Sequence, residues 1–223
     1  SRSSDKFKKK KDNLEYIVWN LQNKDKMFLD LIFNKKINKI CENYFSQGAY
    51  KNDRDIYQFE LLHARILKQN APSQRLHLDS RVCAIYPPTH LQFFFYLDNL
   101  NSDDGPLQLV PKSHKILRYP SIRDNKKAKK ILAKEGSVIV MNSNVWHGSA
   151  EKKSKKYRVN ITLAFNRWFL KQQFAVPYGL PLKFQKKLNI KQKKILGYFN
   201  YPPRTEATRK SMRGSLTNYL VKW

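Results

Sequence analysis

Acidic residues, arginine, cysteine and long apolar runs are all scarce in this chain. Two cysteines, Cys41 and Cys83, are too few for a disulfide framework. Both are expected to be reduced, buried thiols in a cytoplasmic protein. No run of about 18 apolar residues exists, which excludes a spanning helix of ordinary length. The lysines near the N-terminus are not followed by an apolar stretch, so they do not read as a secretory signal. Aspartate and glutamate number 17 against 44 lysines and arginines, a formal charge of +27. Such a field draws polyanions, yet only 12 of the 44 basic residues are arginine. Bidentate phosphate forks and base-edge readers favour arginine. The lysines also cluster at 8–11, 126–130, 152–156 and 183–194, and none falls between His77 and Pro111. Specific nucleic-acid binding is therefore possible but not favoured, and a small-molecule ligand is preferred.

What the chain does contain is 41% hydrophobic residues over 223 positions, enough for one substantial core. Residues 1–13 read as a basic flexible tail and 14–223 as a single domain. Within it, 14–70 is expected to be mainly helical, 71–170 a β core, and 171–223 a helical extension. Leu14 to Gln22 suits a strand or a helix. Lys24–Phe33 and Lys35–Phe45 read as helices, the second with Ile37, Ile40, Cys41, Tyr44 and Phe45 at helical spacing. Asp55–Leu67 begins with strand alternation. Strands are predicted at Val82–Ile85, Leu91–Leu97, Leu107–Leu109, Ser137–Met141 and Val159–Phe165, with turns at Pro87-Pro88 and Asp103-Asp104-Gly105-Pro106. Asp124–Ala133 reads as a short basic surface helix. Pro181–Leu188 and Ile190–Tyr198 read as short helices, and Pro202–Trp223 as a basic segment packing late. Many short strands with turn punctuation indicate a mainly β fold with flanking helices, a sandwich or jelly roll.

Chemistry concentrates in three side chains. His77 and Asp79 stand two apart in Leu76-His77-Leu78-Asp79, and His147 lies in Val145-Trp146-His147-Gly148. Alternate residues of a strand project to one face, so His77 and Asp79 point together while Leu78 packs away. Two imidazoles and one carboxylate form the facial ligand set of non-haem Fe(II), with the opposite positions open. Eleven residues after His147, Arg158 supplies a fixed cation that can hold the far carboxylate of an organic acid. Ser149 offers a hydroxyl on the same side. A His-x-Asp triplet alone is common by chance. His63 and His90 have no carboxylate at ligand spacing and read as ordinary surface or helix residues. For His114 a structural hydrogen bond is the expected role.

The order of segments adds specificity. After the triplet come Leu97-Asp98, the acidic turn 101–105 ending in Gly105, the short strand Leu107–Leu109, and Pro111-Lys112-Ser113-His114-Lys115. Gly136-Ser137-Val138, Trp146-His147-Gly148 and Arg158 follow. From about Met27 to Tyr198 this resembles the phytanoyl-CoA dioxygenase family of Fe(II)- and 2-oxoglutarate-dependent oxygenases. The chain departs from it at Lys112, where glycine is usual, and in opening on a lysine-rich stretch instead of a strand and helix. The resemblance implies a double-stranded β-helix. It further implies Fe(II) on His77, Asp79 and His147, and 2-oxoglutarate held by Arg158 and Ser149. A small organic or acyl substrate would be hydroxylated at the expense of O2, releasing succinate and CO2. Gln74, Phe94, Trp146 and Arg167 are candidate pocket residues, and Trp168 and Gln172 could border it. Two alternatives remain at this point. One is an AlkB-like nucleic-acid demethylase, whose Arg-x-Asn-x-Thr-x-Arg string is half matched by Arg158-Val159-Asn160-Ile161-Thr162, with Ala164 at the last position. The other is a non-catalytic basic jelly-roll binding module.

Overall fold

The computed structural model describes residues 14–49, 56–80, 82–83 and 85–200. The expected tail at 1–13 and the segment 202–223 lie outside them. Two antiparallel sheets face each other in a jelly roll. The larger has strand order β1-β2-β8-β3-β6, built from β1 (Glu15–Trp19), β2 (Tyr57–Leu67), β8 (Arg158–Arg167), β3 (His90–Tyr96) and β6 (Val138–Asn142). The smaller has β5 (Lys129–Ile131), β4 (Leu107–Leu109) and β7 (His147–Ser149), in that order.

Strand alternation gives the large sheet two different faces. Leu91 and Phe93 of β3, Leu163 and Phe165 of β8, and Phe59 and Leu62 of β2 join the main hydrophobic core. The helices α1 (Lys26–Ile32) and α2 (Lys35–Phe45) cover that face. Their starts are capped as their sequences require: Asp25 accepts from the Met27 N–H, and Asn34 accepts from Lys36 and Ile37. Ile37, Cys41 and Phe45, four residues apart, put one stripe of α2 into the core. The Phe165 ring meets Tyr57, Phe59 and Phe93 edge-on. Burial of one such ring stabilises the fold by roughly 2–3 kcal/mol. Asn38 is also buried in α2, and it is satisfied: its Nδ2 donates to the Ile32 carbonyl at 2.8 Å, and the Tyr57 hydroxyl donates to its Oδ1 at 2.7 Å.

Several expectations are corrected. Residues 14–70 supply two strands of the large sheet as well as α1 and α2. Val82, Cys83 and Ile85 lie in no strand, with residue 84 of that range outside the description. Two prolines follow Tyr86, at 87 and 88, where a strand cannot donate. Asp124–Ala133 is not a helix. A 3-10 turn spans Ile122–Lys127, and β5 then pairs with β4, Leu107 opposite Ile131. Without β5, one edge of the three-residue β4 would leave its backbone groups unpaired. Asp124 is taken up locally, by a bidentate bond from Arg118 at 2.8 and 3.0 Å and by the Ser121 N–H. Cys41 is fully buried, and Cys83 only partly so. The C-terminal helices α3 (Val176–Gly179), α4 (Leu182–Gln185) and α5 (Ile190–Ile195) pack on the outer face of the large sheet.

Candidate metal centre

The segment 74–79 lies alongside β7 as an added strand. Gln74 N–H donates to the Ser149 carbonyl at 2.9 Å, and His77 and His147 exchange both backbone hydrogen bonds at 2.9 Å. Such a directly opposed pair sets the two side chains next to each other, and the imidazole centroids are 4.5 Å apart. Asp79 N–H donates to the Ser143 carbonyl at 3.0 Å, which fixes the third side chain. Leu76 and Leu78 point the other way, onto Trp146 and Val110. That apolar footing anchors the segment from behind.

Three ligand atoms, one each from His77, Asp79 and His147, lie within 4.8 Å of one another. The tautomers suit a metal. Nδ1 of His77 is 3.0 Å from the Arg75 carbonyl, and Nδ1 of His147 is 2.9 Å from that of Val145. A carbonyl only accepts, so each Nδ1 carries the proton and each Nε2 keeps its lone pair. Those Nε2 atoms lie 3.5 and 3.3 Å from the two Asp79 oxygens. Asp79 keeps 40% of its side-chain surface and lines a cavity, and Gln92 Nε2 donates to its Oδ2 at 2.6 Å. Burial by itself would raise the Asp79 carboxyl. The adjacent His147 imidazole and the hydrogen bond from Gln92 outweigh it and hold the group well below the ordinary carboxylate range. Burial and the neighbouring His147 lower His77, so it stays neutral and able to ligate.

The cavity encloses about 290 Å³ between the sheets. Its floor is the inner face of the large sheet, whose register forms a grid. Arg158, Asn160 and Thr162 run along β8. Beside Asn160 stand Arg65 of β2 and Tyr96 of β3; beside Thr162 stand His63 and Phe94. Ile17 and Trp19 of β1 lie next to Arg65 and His63. Arg158 is only 2% exposed, and its Nε and one terminal nitrogen find no hydrogen-bond partner among the described residues. Burial depresses the guanidinium relative to its ordinary value, although arginine keeps its charge in proteins. It lies over the Tyr96 ring, 5.6 Å from its centroid. A buried cation with unmet donors suits a site for an anion. Ser149 belongs to a clamp centred on Gln74. Gln74 Oε1 accepts from Arg65 at 3.0 Å, from the Ser149 N–H at 3.2 Å and from the Ser149 hydroxyl at 3.5 Å. Glu15 neutralises Arg65 at 2.6 Å.

Most of the expected residues meet at this cavity: His77, Asp79, His147, Arg158, Ser149, Gln74 and Phe94 all line it. Trp146 and Arg167 do not, for the same reason. Each follows or precedes an inward residue on a strand and so points outward. Trp146 is fully buried against Leu76 and Val110, with Arg118 stacked over it at 4.5 Å. Arg167 Nε donates to the Pro88 carbonyl at 2.8 Å, and its terminal nitrogen donates to that of Gln47. Trp168 likewise is absent from the lining. Gln172 pins the chain to β2 through the Phe59 carbonyl at 2.5 Å, and it is Gln173 that reaches the cavity. His63 and His90 are not surface residues. His90 is buried on β3, 3.7 Å from Glu60. His63 lines the cavity and packs on Trp19 at 4.6 Å. The Nδ1 of His114 finds no hydrogen-bond partner among the described residues. Sequence reasoning missed His63, Arg65, Gln92, Asn160 and Thr162. Alternation within β2 and β8 was the available signal, because Leu61, His63 and Arg65 share a face, as do Arg158, Asn160 and Thr162.

Residues 1–160 match the phytanoyl-CoA dioxygenase (PhyH) family model. The chain belongs to the phytanoyl-CoA dioxygenase family. It is 26% identical over 186 residues to the dioxygenase sphC of Aspergillus fumigatus, covering 78% of this chain and 49% of that protein. It is 23% identical over 147 residues to the dioxygenase cdmD of Talaromyces verruculosus, covering 61% and 46%. The chain thus spans about half the length of the curated relatives it matches. Among solved structures, HygX of Streptomyces hygroscopicus with nickel and 2-oxoglutarate bound superposes with a TM-score of 0.60 at 15% identity, covering 72% of each chain. EvdMO1 gives a TM-score of 0.55 at 22% identity over 68% of this chain and 35% of its own. These likenesses carry the jelly-roll fold. Among the described residues, no helix of this family member is long and apolar enough to cross a membrane.

Proposed function

We propose that this protein is an Fe(II)- and 2-oxoglutarate-dependent dioxygenase that hydroxylates a small organic substrate. The observation that carries this reading is one cavity holding both halves of the required site. Two imidazoles and a carboxylate have ligand atoms within 4.8 Å, and a buried arginine with unmet donors lines the same space. The donor set fits iron. His77, Asp79 and His147 would hold it, and Arg158 with Ser149 would hold the far carboxylate of 2-oxoglutarate. Bound iron and 2-oxoglutarate supply the oxidising chemistry, which consumes O2 and yields succinate and CO2.

The chain's own residues prepare the site. The Arg75 and Val145 carbonyls keep both imidazoles in the ligating tautomer. Gln92 holds the Asp79 carboxylate in place. The Gln74 clamp sets Ser149 and keeps Arg65 paired with Glu15, so that Arg158 is left as the cation with open donors. HygX, solved with nickel and 2-oxoglutarate and again with hygromycin B, supports a small-molecule substrate rather than a nucleic acid. So does Ala164, which is fully buried in β8 where an AlkB-like string would carry its second arginine.

The test is an anaerobic titration with Fe(II) and 2-oxoglutarate, watching the weak metal-to-ligand charge-transfer band in the visible. The wild-type protein should develop the band and release succinate on admission of O2. His147→Ala should lose both while keeping its circular dichroism. Undiminished turnover in that variant would remove the iron assignment.

A further inference from the structure

The family's name suggests an acyl chain, but the cavity floor is built of polar groups, several of them unmatched. Asn160 is 1% exposed; its Nδ2 donates to the Thr162 hydroxyl at 3.0 Å, and its Oδ1 has no partner among the described residues. Gln92 is 4% exposed; its Nε2 is spent on Asp79, and its Oε1 likewise has none. The Nδ1 of His63 is a third such atom. All three residues line the cavity, on β8, β3 and β2, around the Thr162 and Phe94 positions. Neighbouring strands lie about 4.8 Å apart and alternate residues about 6.7 Å apart, so by the register the backbones at His63 and Asn160 are about 8 Å apart and those at His63 and Gln92 about 12 Å; a molecule of sugar size lying over His63 meets its side chain and one of the two amides.

The pattern is one-sided. Asn160 Oδ1 and Gln92 Oε1 can only accept. The neutral imidazole of His63 presents either a lone pair or an N–H at Nδ1. Burial, and after it the nearby Arg65, holds His63 down at about 4, so it does not turn into an obligate donor near neutral pH. Of the carboxylates in the lining, Glu15 pairs with Arg65 and Asp79 faces the metal position, while Glu60 adds a further acceptor to the wall. Each buried polar atom left unmatched destabilises the empty site. Against these acceptors an alkyl chain would leave every cost standing, whereas hydroxyl or amine hydrogens would remove it.

We infer that the substrate is a compact molecule rich in hydrogen-bond donors, a polyol, sugar or amino alcohol, and not an acyl chain or its thioester. His63, with Asn160 one alternate step from Arg158 along β8 or Gln92 farther along the floor, accepts or exchanges hydrogen bonds with it. This rests on the dioxygenase reading and narrows its substrate class.

The experiment uses the full chain under anaerobic conditions with Fe(II) and 2-oxoglutarate. Probes are glucose, glucosamine, myo-inositol and 2-aminoethanol, set beside octanoate and octanoyl-CoA. Thermal protection is measured first, then succinate formation after O2 is admitted. At least one hydroxylated probe should protect the protein and stimulate succinate release, and neither acyl probe should. His63→Phe, which keeps a ring against Trp19, and Asn160→Ala should each weaken that probe about tenfold, the effect of one lost hydrogen bond to a buried group. Affinity for 2-oxoglutarate in His63→Phe should stay within about twofold of wild type, because Arg158 is untouched. Protection by the acyl probes alone, no protection by any hydroxylated probe, or equal binding to both variants and wild type would each overturn the inference. Failure of 2-oxoglutarate itself to bind the wild-type protein would instead sink the dioxygenase assignment.

Discussion

Arg158 is the residue at which stability and function should pull in opposite directions. Its guanidinium is 2% exposed, and two of its nitrogens lack partners among the described residues. Each unmet buried donor costs about 1–3 kcal/mol. Arg158→Met keeps much of the aliphatic stem, and with it the packing beside Tyr96. It removes the charge and the unmet donors together. Replacing a buried charged group by an apolar one of similar shape is often neutral or stabilising. Allowing for lost contact with the Tyr96 ring, a net gain of about 2 kcal/mol is expected for the free protein. For a domain of this size that is a rise in Tm of about 4–8 °C. Adding 2-oxoglutarate at 100 times its Kd should stabilise the wild-type protein by about 2.7 kcal/mol and do nothing for the variant. The assay is thermal unfolding followed by circular dichroism, anaerobic, with Fe(II), with and without 2-oxoglutarate. A variant that melts below wild type, yet still gains from 2-oxoglutarate, would refute the idea that this cation is held in reserve for an anion.

Two further outcomes follow from the same geometry. Gln74→Ala removes the acceptor shared by Arg65 and Ser149, so KM for 2-oxoglutarate should rise about tenfold while the Fe(II) affinity holds; steady-state succinate release at varied 2-oxoglutarate would show it, and an unchanged KM would demote the clamp. The metal-free protein should lose stability as pH falls from 6.5 toward 4. His63 titrates near 4 in the fold against 6.5 in the open chain, mainly through burial, and His77 is lowered too. The unfolded chain therefore binds protons that the folded one refuses. Each histidine adds a slope of up to about 1.4 kcal/mol per pH unit. His63→Phe should flatten the urea-midpoint profile over that window, and a profile identical to wild type would contradict the assignment.

The comparison between sequence and structure turns on particular residues. The triplet His77-x-Asp79 was legible because a two-residue period survives in almost any extended segment. Arg158 was legible because it opens a strand with clear alternation. Trp146 and Arg167 were misplaced, although each neighbours a true inward position. In a strand, one step along the chain reverses the face, and proximity in sequence to a ligand therefore argues against sharing its pocket. His63 and Arg65 were overlooked for the complementary reason. Their chemistry depends on β2 lying beside β8, a pairing that joins residues about a hundred positions apart. The strand β5, read as a helix, answers an edge that only the folded sheet presents.

The sequence on its own determined the His-x-Asp triplet and the second histidine that meets it, the arginine that lines the same cavity, the two-layer β architecture and the two N-terminal helices. Each of these follows from local period or from a residue's own chemistry. Only the tertiary structure decided which polar groups would be buried without partners. That property belongs to no residue in isolation, since it arises when sheet pairing removes water from Arg158, Asn160 and Gln92 and leaves part of each without a partner among the described residues.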